Sequence, residues 1–395
     1  VQRELFPDLV RACALLGIAA VNVDFFAHAS GGDLPAAAFP TTVDRFAWWL
    51  VATLFALKSY SLFALMFGVG FGQQWRAAVA GDHGFGARYA RRMLGLLALG
   101  LLNVTLLFHG DILIVYAVLG SVLLLFRGAE PATLRRWAIG FYSLQTGIVA
   151  LVALAVWAME ASGDEGALAA AGTAAAEEAA RRLQGFAAQE FSVVAAMRLE
   201  AWRSDFAVVM GLQGLGALSF MLYGLYAVRA GLFTSAALAS AHWVRARRTL
   251  LPAGLLLAAL GGWLIVGSAG NADPYFMAGY LLLMLGSPLS TLGYLGLIAR
   301  WMQAADSPLR RGMARAGGGS LSAYLLQGLL LSLVFMGYGG GLIGELGAAT
   351  YIPIGLAAAI ASLLCVGWWR GRYALGPVEY LLRAWVYLGK RPRAD

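Results

Sequence analysis

Ionisable side chains are scarce in this sequence. Asp, Glu, Lys and Arg make up 13% of its 395 residues, where soluble globular domains carry about 25%. Cysteine is nearly absent: Cys13 and Cys365 are too few for a disulfide framework, and both read as packing residues. Only four histidines occur. No C-x-x-C or H-x-x-x-H spacing is present, so His28, His109, Asp24, Asp111 and Glu345 are not read as a metal set and no metal is expected. Walker, G-x-S-x-G and H-E-x-x-H motifs are missing too. What fills the chain is apolar: 60% hydrophobic residues plus 50 glycines, with a mean hydropathy of +0.72. This balance excludes a water-soluble enzyme and a disordered chain. It also argues against a nucleic-acid binder, despite a sequence pI near 9.7.

Apolar stretches long enough to cross about 30 Å of hydrocarbon fall at roughly 9–27, 59–75, 93–108, 112–126, 137–159, 207–228, 249–267, 275–299, 317–337 and 350–369. The expected fold is therefore an all-α, polytopic helical bundle of about ten transmembrane helices. Placing the N-terminus in the cytoplasm puts 23 of the 29 Lys and Arg residues on that side, which predicts that both termini are cytoplasmic. Arg3, an apolar run and Ala27-His28-Ala29 imitate a secretory signal, but the segment is read as a true first span. Residues 160–206 form the one long hydrophilic stretch, expected outside as a helical insertion in a single membrane-embedded domain. Leu183, Phe186, Phe191, Val194 and Met197 give it an apolar face, either lying on the bundle or closing a cavity. Gly68, Gly70 and Gly72 suit close helix packing, and Gly317-Gly318-Gly319 permits a bend.

Polar residues inside spans are costly and mark pathways or sites. Here they gather at the expected outer ends: Asn22, Asp24 and His28 in the first span, Lys58, Ser59 and Ser61 opening the second, Asn103 in the third, and His109 and Asp111 in the turn to the fourth. Gln213, Gln327 and Glu345 lie at similar depth. Asp24 and His28 are four residues apart, so they share a helix face, and a carboxylate on one imidazole nitrogen would set the other up as a base. Asn22 lies six residues from His28, about 120° around an ideal helix. The His28-x4-Asp33 spacing is read as chance. The basic inner side suits anionic lipid heads or a phosphorylated cofactor.

Several segments resemble the YeiB-like family of bacterial membrane proteins: Asp8-Leu9-Val10-Arg11 leading to Val21-Asn22, Lys58 with LFALMFGVGF (62–71), GDILIVYAVLG (110–120), YLLQ (324–327) and GPVEYLLR (376–383). Val21-Asn22 and His28-Ala29-Ser30 are also similar to elements of transmembrane acyltransferases related to heparan-α-glucosaminide N-acetyltransferase. The resemblance implies an acyltransferase of the bacterial inner membrane. It would take an acyl-CoA, acetyl-CoA foremost, from the cytoplasm. The acceptor would be a small-molecule, sugar or lipid-linked hydroxyl or amine on the periplasmic side. In that reading His28 is the base, Asp24 orients it and Asn22 steadies the carbonyl oxygen. His109, Asp111, Lys58, Asn103 and Gln327 bind the acceptor, and Arg88, Arg91 and Arg92 meet the CoA phosphates. Membrane lipids are the expected partners, nucleic acid is not, and a homodimer is left open. The residues alone equally suit a transporter of a small or lipid-like solute using the same outer cavity, with Asp24 and His28 as a proton relay. A non-catalytic membrane scaffold is the third reading.

Overall fold

The computed structural model describes residues 5–28, 40–80, 84–162, 165–270 and 273–388, with the side chains of 165–171 and 212 excepted. Arg3, Ala29, Ser30, Asp33, Lys390, Arg391 and Arg393 lie outside the described residues. Those described form helices and no strands. This is what a bilayer requires of a bundle, because each backbone N–H and C=O must be paired within its own segment. The chain runs through α1 (Leu5–Ala27), α2 (Thr42–Leu54), α3 (Lys58–Ala80), α4 (Phe85–Leu106), α5 (Leu113–Val122) and α6 (Pro131–Ala161). Next come α7 (Glu165–Phe186), α8 (Phe191–Val209), α9 (Leu215–Arg229) and the short α10 (Ser235–Leu238) and α11 (Ala241–Arg245). The last are α12 (Leu251–Gly267), α13 (Pro274–Gln303), α14 (Pro308–Gly317), α15 (Ser320–Phe335), α16 (Ala348–Arg370) and α17 (Pro377–Tyr387).

Among the described residues, six helical stretches are long and apolar enough to cross a membrane, or seven when α14 and α15 count as one bent span. Residues 85–106, 113–126 and 215–229 occupy the other three expected positions, but are too charged or too short to qualify by the same measure. The helix ends segregate by charge. Arg91 Nε donates to the Val386 carbonyl (2.9 Å) and Arg310 Nη1 to that of Ala304 (2.7 Å), joining arginine-bearing ends. At the opposite end Gly344 N bonds the Ala27 carbonyl (2.8 Å) and Ala349 N the Asp44 carboxylate (2.9 Å).

Glycine sets the closest contacts. α12 and α13 are antiparallel, with Gly254 facing Gly286 and Gly261 facing Gly279. A Cβ on Gly286 or on Gly279 would come within 2.5 Å of the facing glycine's carbonyl oxygen. Backbones that meet this closely gain dispersion that lipid tails cannot supply. Gly317 is tighter still, since its Cβ would sit 1.7 Å from the Asp8 carbonyl oxygen. The chain turns by 85° just beyond it, between α14 and α15, so the bend expected at Gly317-Gly318-Gly319 is present.

Two helices are interrupted, and side chains repair both. Pro288 in α13 has no N–H for the Met284 carbonyl, and Tyr142 Oη donates to that carbonyl instead (2.6 Å). The second break, at Phe55–Leu57, was not expected. Leu57 adopts φ +62°, and the freed carbonyls of Ala52, Leu54 and Leu57 accept from Lys58 Nζ (2.8 Å), Tyr294 Oη (2.8 Å) and Ser287 Oγ (3.0 Å). The second span therefore does not begin near residue 59. It continues outward through α2, whose charges and brevity make it read as a loop.

The hydrophilic stretch forms a hairpin of two helices, α7 and α8, and α8 runs on through residues 210–214 into α9. Arg198 of α8 is read from sequence as a solvated residue, yet it is fully buried. Its guanidinium donates to the Leu106 carbonyl (2.8 Å), Ser332 Oγ (2.5 Å) and Tyr338 Oη (2.9 Å). The α4 C-terminus has carbonyls without helical partners, and this arginine meets one of them.

Candidate functional site: a cationic cavity and a polar core

A cavity of about 480 Å³ lies at the arginine-rich end, between α1, α3, α4, α5, α15 and α17. Its polar wall holds Arg11, Arg92, Gln73 and Gln74. Its apolar depth is formed by Phe63, Phe67, Leu96, Leu113 and Tyr116. Arg11 is paired with Asp8 (2.7 Å). The Arg92 guanidinium lies 5.7 Å from the Phe67 ring centroid, and its Nε is buried without a partner among the described residues. Glu379 also lines the cavity, but its charge is engaged. One oxygen accepts from the Leu321 and Ser322 N–H groups (2.8 and 3.2 Å) and the other from Ser322 Oγ (2.5 Å). A carboxylate at the N-terminus of α15 meets the positive end of the helix dipole, so Glu379 is held by α15 and not by Arg92.

Of the three arginines expected at phosphates, only Arg92 reaches this cavity. Arg91 is spent on Val386, and Arg88 Nε bonds the Gly84 carbonyl (3.2 Å). Neighbouring helix positions point about 100° apart, so a run of arginines cannot converge. Arg11, from another helix, takes the second place.

Beyond the deep end, near Leu113, lies a polar junction. Asn103 Nδ2 donates to Asp111 Oδ1 (2.7 Å), and Asp111 Oδ2 accepts from Ile114 N (2.9 Å), capping α5. Tyr324 Oη accepts from Ile112 N at 3.4 Å. On its far side a cavity of about 10 Å³ is lined by Asn22, Asn103, Tyr324, Gln327, Phe26 and Phe108, among others, room for about one water. Asn103 Oδ1 is buried there without a partner among the described residues, and Gln327 Nε2 reaches the Leu15 carbonyl at 3.4 Å. Phe26 and Phe108 stack at 4.7 Å at the edge of this space. His109 follows, packed against Phe25 and Phe108 and stacked on Phe186 of the hairpin (5.1 Å).

Asn22 thus lines the small cavity together with Asn103 and Gln327, as their shared depth permits, while Asp24 and His28 face α16. Tyr351 Oη donates to Asp24 Oδ1 (2.6 Å), and the His28 ring meets Tyr351 edge-on (5.2 Å). His28 Nε2 has no partner among the described residues, so the shared face does not place the carboxylate on that nitrogen. Neither cavity has His28 in its lining. Lys58 is fully buried at the helix break, across from Gly17 near the middle of α1, rather than at an outer surface. Gln213 and Glu345 are exposed. Tyr324, Tyr351, Arg11 and Arg198 were given no site role in the sequence reading, although Arg11 stands in the quoted Asp8-Leu9-Val10-Arg11 segment. Tyr324 stands in the quoted YLLQ segment, the one signal that pointed toward it. Among the described residues no group of three His, Cys, Asp or Glu lies close enough to hold a metal.

Residues 227–389 match a family model described as a protein of unknown function, DUF418. The chain is 25% identical over 401 residues to the uncharacterized protein YxaH of Bacillus subtilis (strain 168), covering 98% of this chain and 95% of that protein. It is 27% identical over 413 residues to the uncharacterized protein YeiB of Escherichia coli (strain K12), covering 97% and 96%. No solved structure matches it. The matched C-terminal region supplies Tyr324, Gln327 and Glu379, and the full-length similarity extends to α1 and α4, which complete both cavities. With its apolar spans, the chain is a multi-pass membrane protein similar over nearly its whole length to YxaH and YeiB.

Proposed function

We propose that this protein is an acyltransferase of the bacterial inner membrane, loading an acyl-CoA from the arginine-rich, cytoplasmic side. The observation that carries this reading is the shape of the larger cavity. A wall bearing Arg11 and Arg92 leads to an apolar depth at Phe63, Leu113 and Tyr116, and Leu113 directly follows the turn that holds Asp111 of the Asn103–Asp111 pair. An acyl-CoA has the matching polarity: phosphates for guanidinium groups, which bind them through paired N–H donors, and an arm that reaches inward with the thioester. The acceptor hydroxyl or amine comes from the opposite side. Its oxygen or nitrogen attacks the thioester carbonyl carbon, the carbon–sulfur bond breaks, and the CoA thiol takes up a proton as it leaves. Asn22 and Gln327 amides beside the small cavity suit the carbonyl oxygen as charge develops, and one such donor typically contributes about 2.7–4 kcal/mol. Two imidazoles have an unpartnered Nε2 for the acceptor's proton, His28 beside Tyr351 and His109 beside Phe108.

The test uses purified protein in nanodiscs with labelled acetyl-CoA. The expected result is thermal protection by CoA and its acyl esters, weakened by Arg92→Leu, and acyl transfer to a membrane extract that is lost in Asn22→Ala. His28→Ala and His109→Ala then assign the base. Full transfer by both histidine variants excludes an imidazole base, and absence of any CoA protection ends the acyltransferase reading.

One observation favours a transporter. The break at Phe55–Leu57, with a buried lysine at its centre, resembles the discontinuous helices on which many transporters build a binding site. That reading expects solute counterflow in proteoliposomes without CoA and without a covalent product.

A further inference from the structure

α17 has two faces with different business. The inner one carries Glu379 and Leu382 in the cavity wall. Trp385 stands at the border, its Nε1 donating to the Arg91 carbonyl of α4 (2.7 Å) and its ring half exposed. The outer one exposes Tyr380 (64%), Leu381 (62%), Trp385 (48%) and Leu388 (58%). Their spacing of one, four and three residues makes a continuous apolar stripe along one side of a helix. Pro377 and Glu379 start the helix, and Leu388, left-handed at φ +49°, ends it.

Basic groups flank this stripe. Arg383 lies 5.7 Å and Arg88 5.9 Å from the Tyr387 ring centroid, and Arg372 is 4.1 Å from that of Trp368, itself exposed. No carboxylate lies within ion-pair distance of these three arginines among the described residues. Arg310 and Arg311, at the same end, by contrast share an ion pair with Asp306.

We propose that α17 and the adjoining Arg372 form a docking surface for anionic phospholipid headgroups, with Tyr380, Leu381, Trp385 and Leu388 seated at the headgroup–acyl boundary. An apolar stripe bordered by arginines and aromatics is what an interfacial helix presents. The charge selects among lipids: a phosphatidylglycerol brings an unneutralised phosphate to an unpaired guanidinium, whereas phosphatidylcholine carries its own cation. Each basic group near an anionic surface contributes about 1 kcal/mol. The proposal is independent of what the cavity binds.

The full chain is reconstituted in phosphatidylcholine nanodiscs with and without a quarter phosphatidylglycerol, then released for native mass spectrometry. Expected is retained phosphatidylglycerol in preference to phosphatidylcholine, weakened roughly fivefold for each of Arg372→Gln and Arg383→Gln. Thermal unfolding in pure phosphatidylcholine should be unchanged in both, which shows that they fold. Arg135→Gln/Arg136→Gln, exposed arginines at the same end but away from α17, should keep the preference. Equal retention of the two lipids, equal loss in the Arg135/Arg136 variant, or a dimer that forms through this face in place of bound lipid would each overturn the proposal.

Discussion

The two ends of this bundle solve the same problem, covering a polar interior, in opposite ways. At the arginine-rich end the cover is incomplete. Cationic side chains from α1 and α4 border some 480 Å³ of open space, and Glu379 is held by backbone N–H groups rather than by an arginine. At the other end Arg198 is spent on a carbonyl and two hydroxyls, Arg182 on Glu178 and Asp205, and Phe186 lies flat on His109. At the open end the Arg92 Nε is buried without a partner among the described residues, whereas the hairpin end ties its buried arginines to carbonyl, hydroxyl and carboxylate groups. The proposed function rests on this difference, with the open end as the place of binding.

Substitutions should break this contrast in order of how deeply each group is committed. Arg198→Met leaves the Leu106 carbonyl and the Ser332–Tyr338 pair without their donor, so unfolding should become easier by about 3 kcal/mol. Its CoA protection should be unaffected; a parallel loss would mean the ends are not separate. Asn103→Leu removes the Asp111 Oδ1 partner and should cost about 2 kcal/mol, read as a lower melting temperature in detergent. Arg92→Leu should leave the melting temperature of the empty protein nearly unchanged while weakening acyl-CoA affinity about tenfold, as loss of a charge-assisted bond does.

The smallest effect concerns pH. Hydrogen bonds from Arg182, then Arg181, hold the Glu178 carboxyl below its ordinary value. Because the folded group is the stronger acid, its stabilisation is present above the unfolded value of about 4.3 and is lost as pH falls through the lower folded one. The hairpin should therefore loosen only below that range. Glu178→Gln should remove the dependence at under about 1 kcal/mol, since the pair is partly solvated. Hydrogen exchange over 172–209 from pH 6 to 3 would show whether it does.

How much of this could be read beforehand depended on whether a feature was local. The membrane class, the bend at Gly317-Gly318-Gly319 and the helical character of the hydrophilic stretch follow from composition and short-range pattern. The closeness of Asn22, Asn103 and Gln327 was suggested by shared depth, which constrains one dimension of three. Pairings across helices were not legible: Tyr351 claims Asp24 from 327 residues away, and Arg198 looks like any charged residue of a solvated helix until Leu106 and Ser332 are placed beside it. α2 was lost because a half-length helix ending in a break has too few apolar residues in register to stand out. Helix phase likewise decided which of Arg88, Arg91 and Arg92 enters the cavity, and phase is fixed by packing against α17 and α3.

The central claim is that the arginine-lined cavity holds a phosphate-bearing acyl donor. A structure of the protein with a non-hydrolysable acetyl-CoA analogue tests it most directly. The account predicts density with its phosphates at Arg92 and Arg11 and its acyl end beside Leu113, facing the Asn103–Asp111 pair. An empty cavity at saturating analogue, or an analogue bound at the hairpin end, would contradict it.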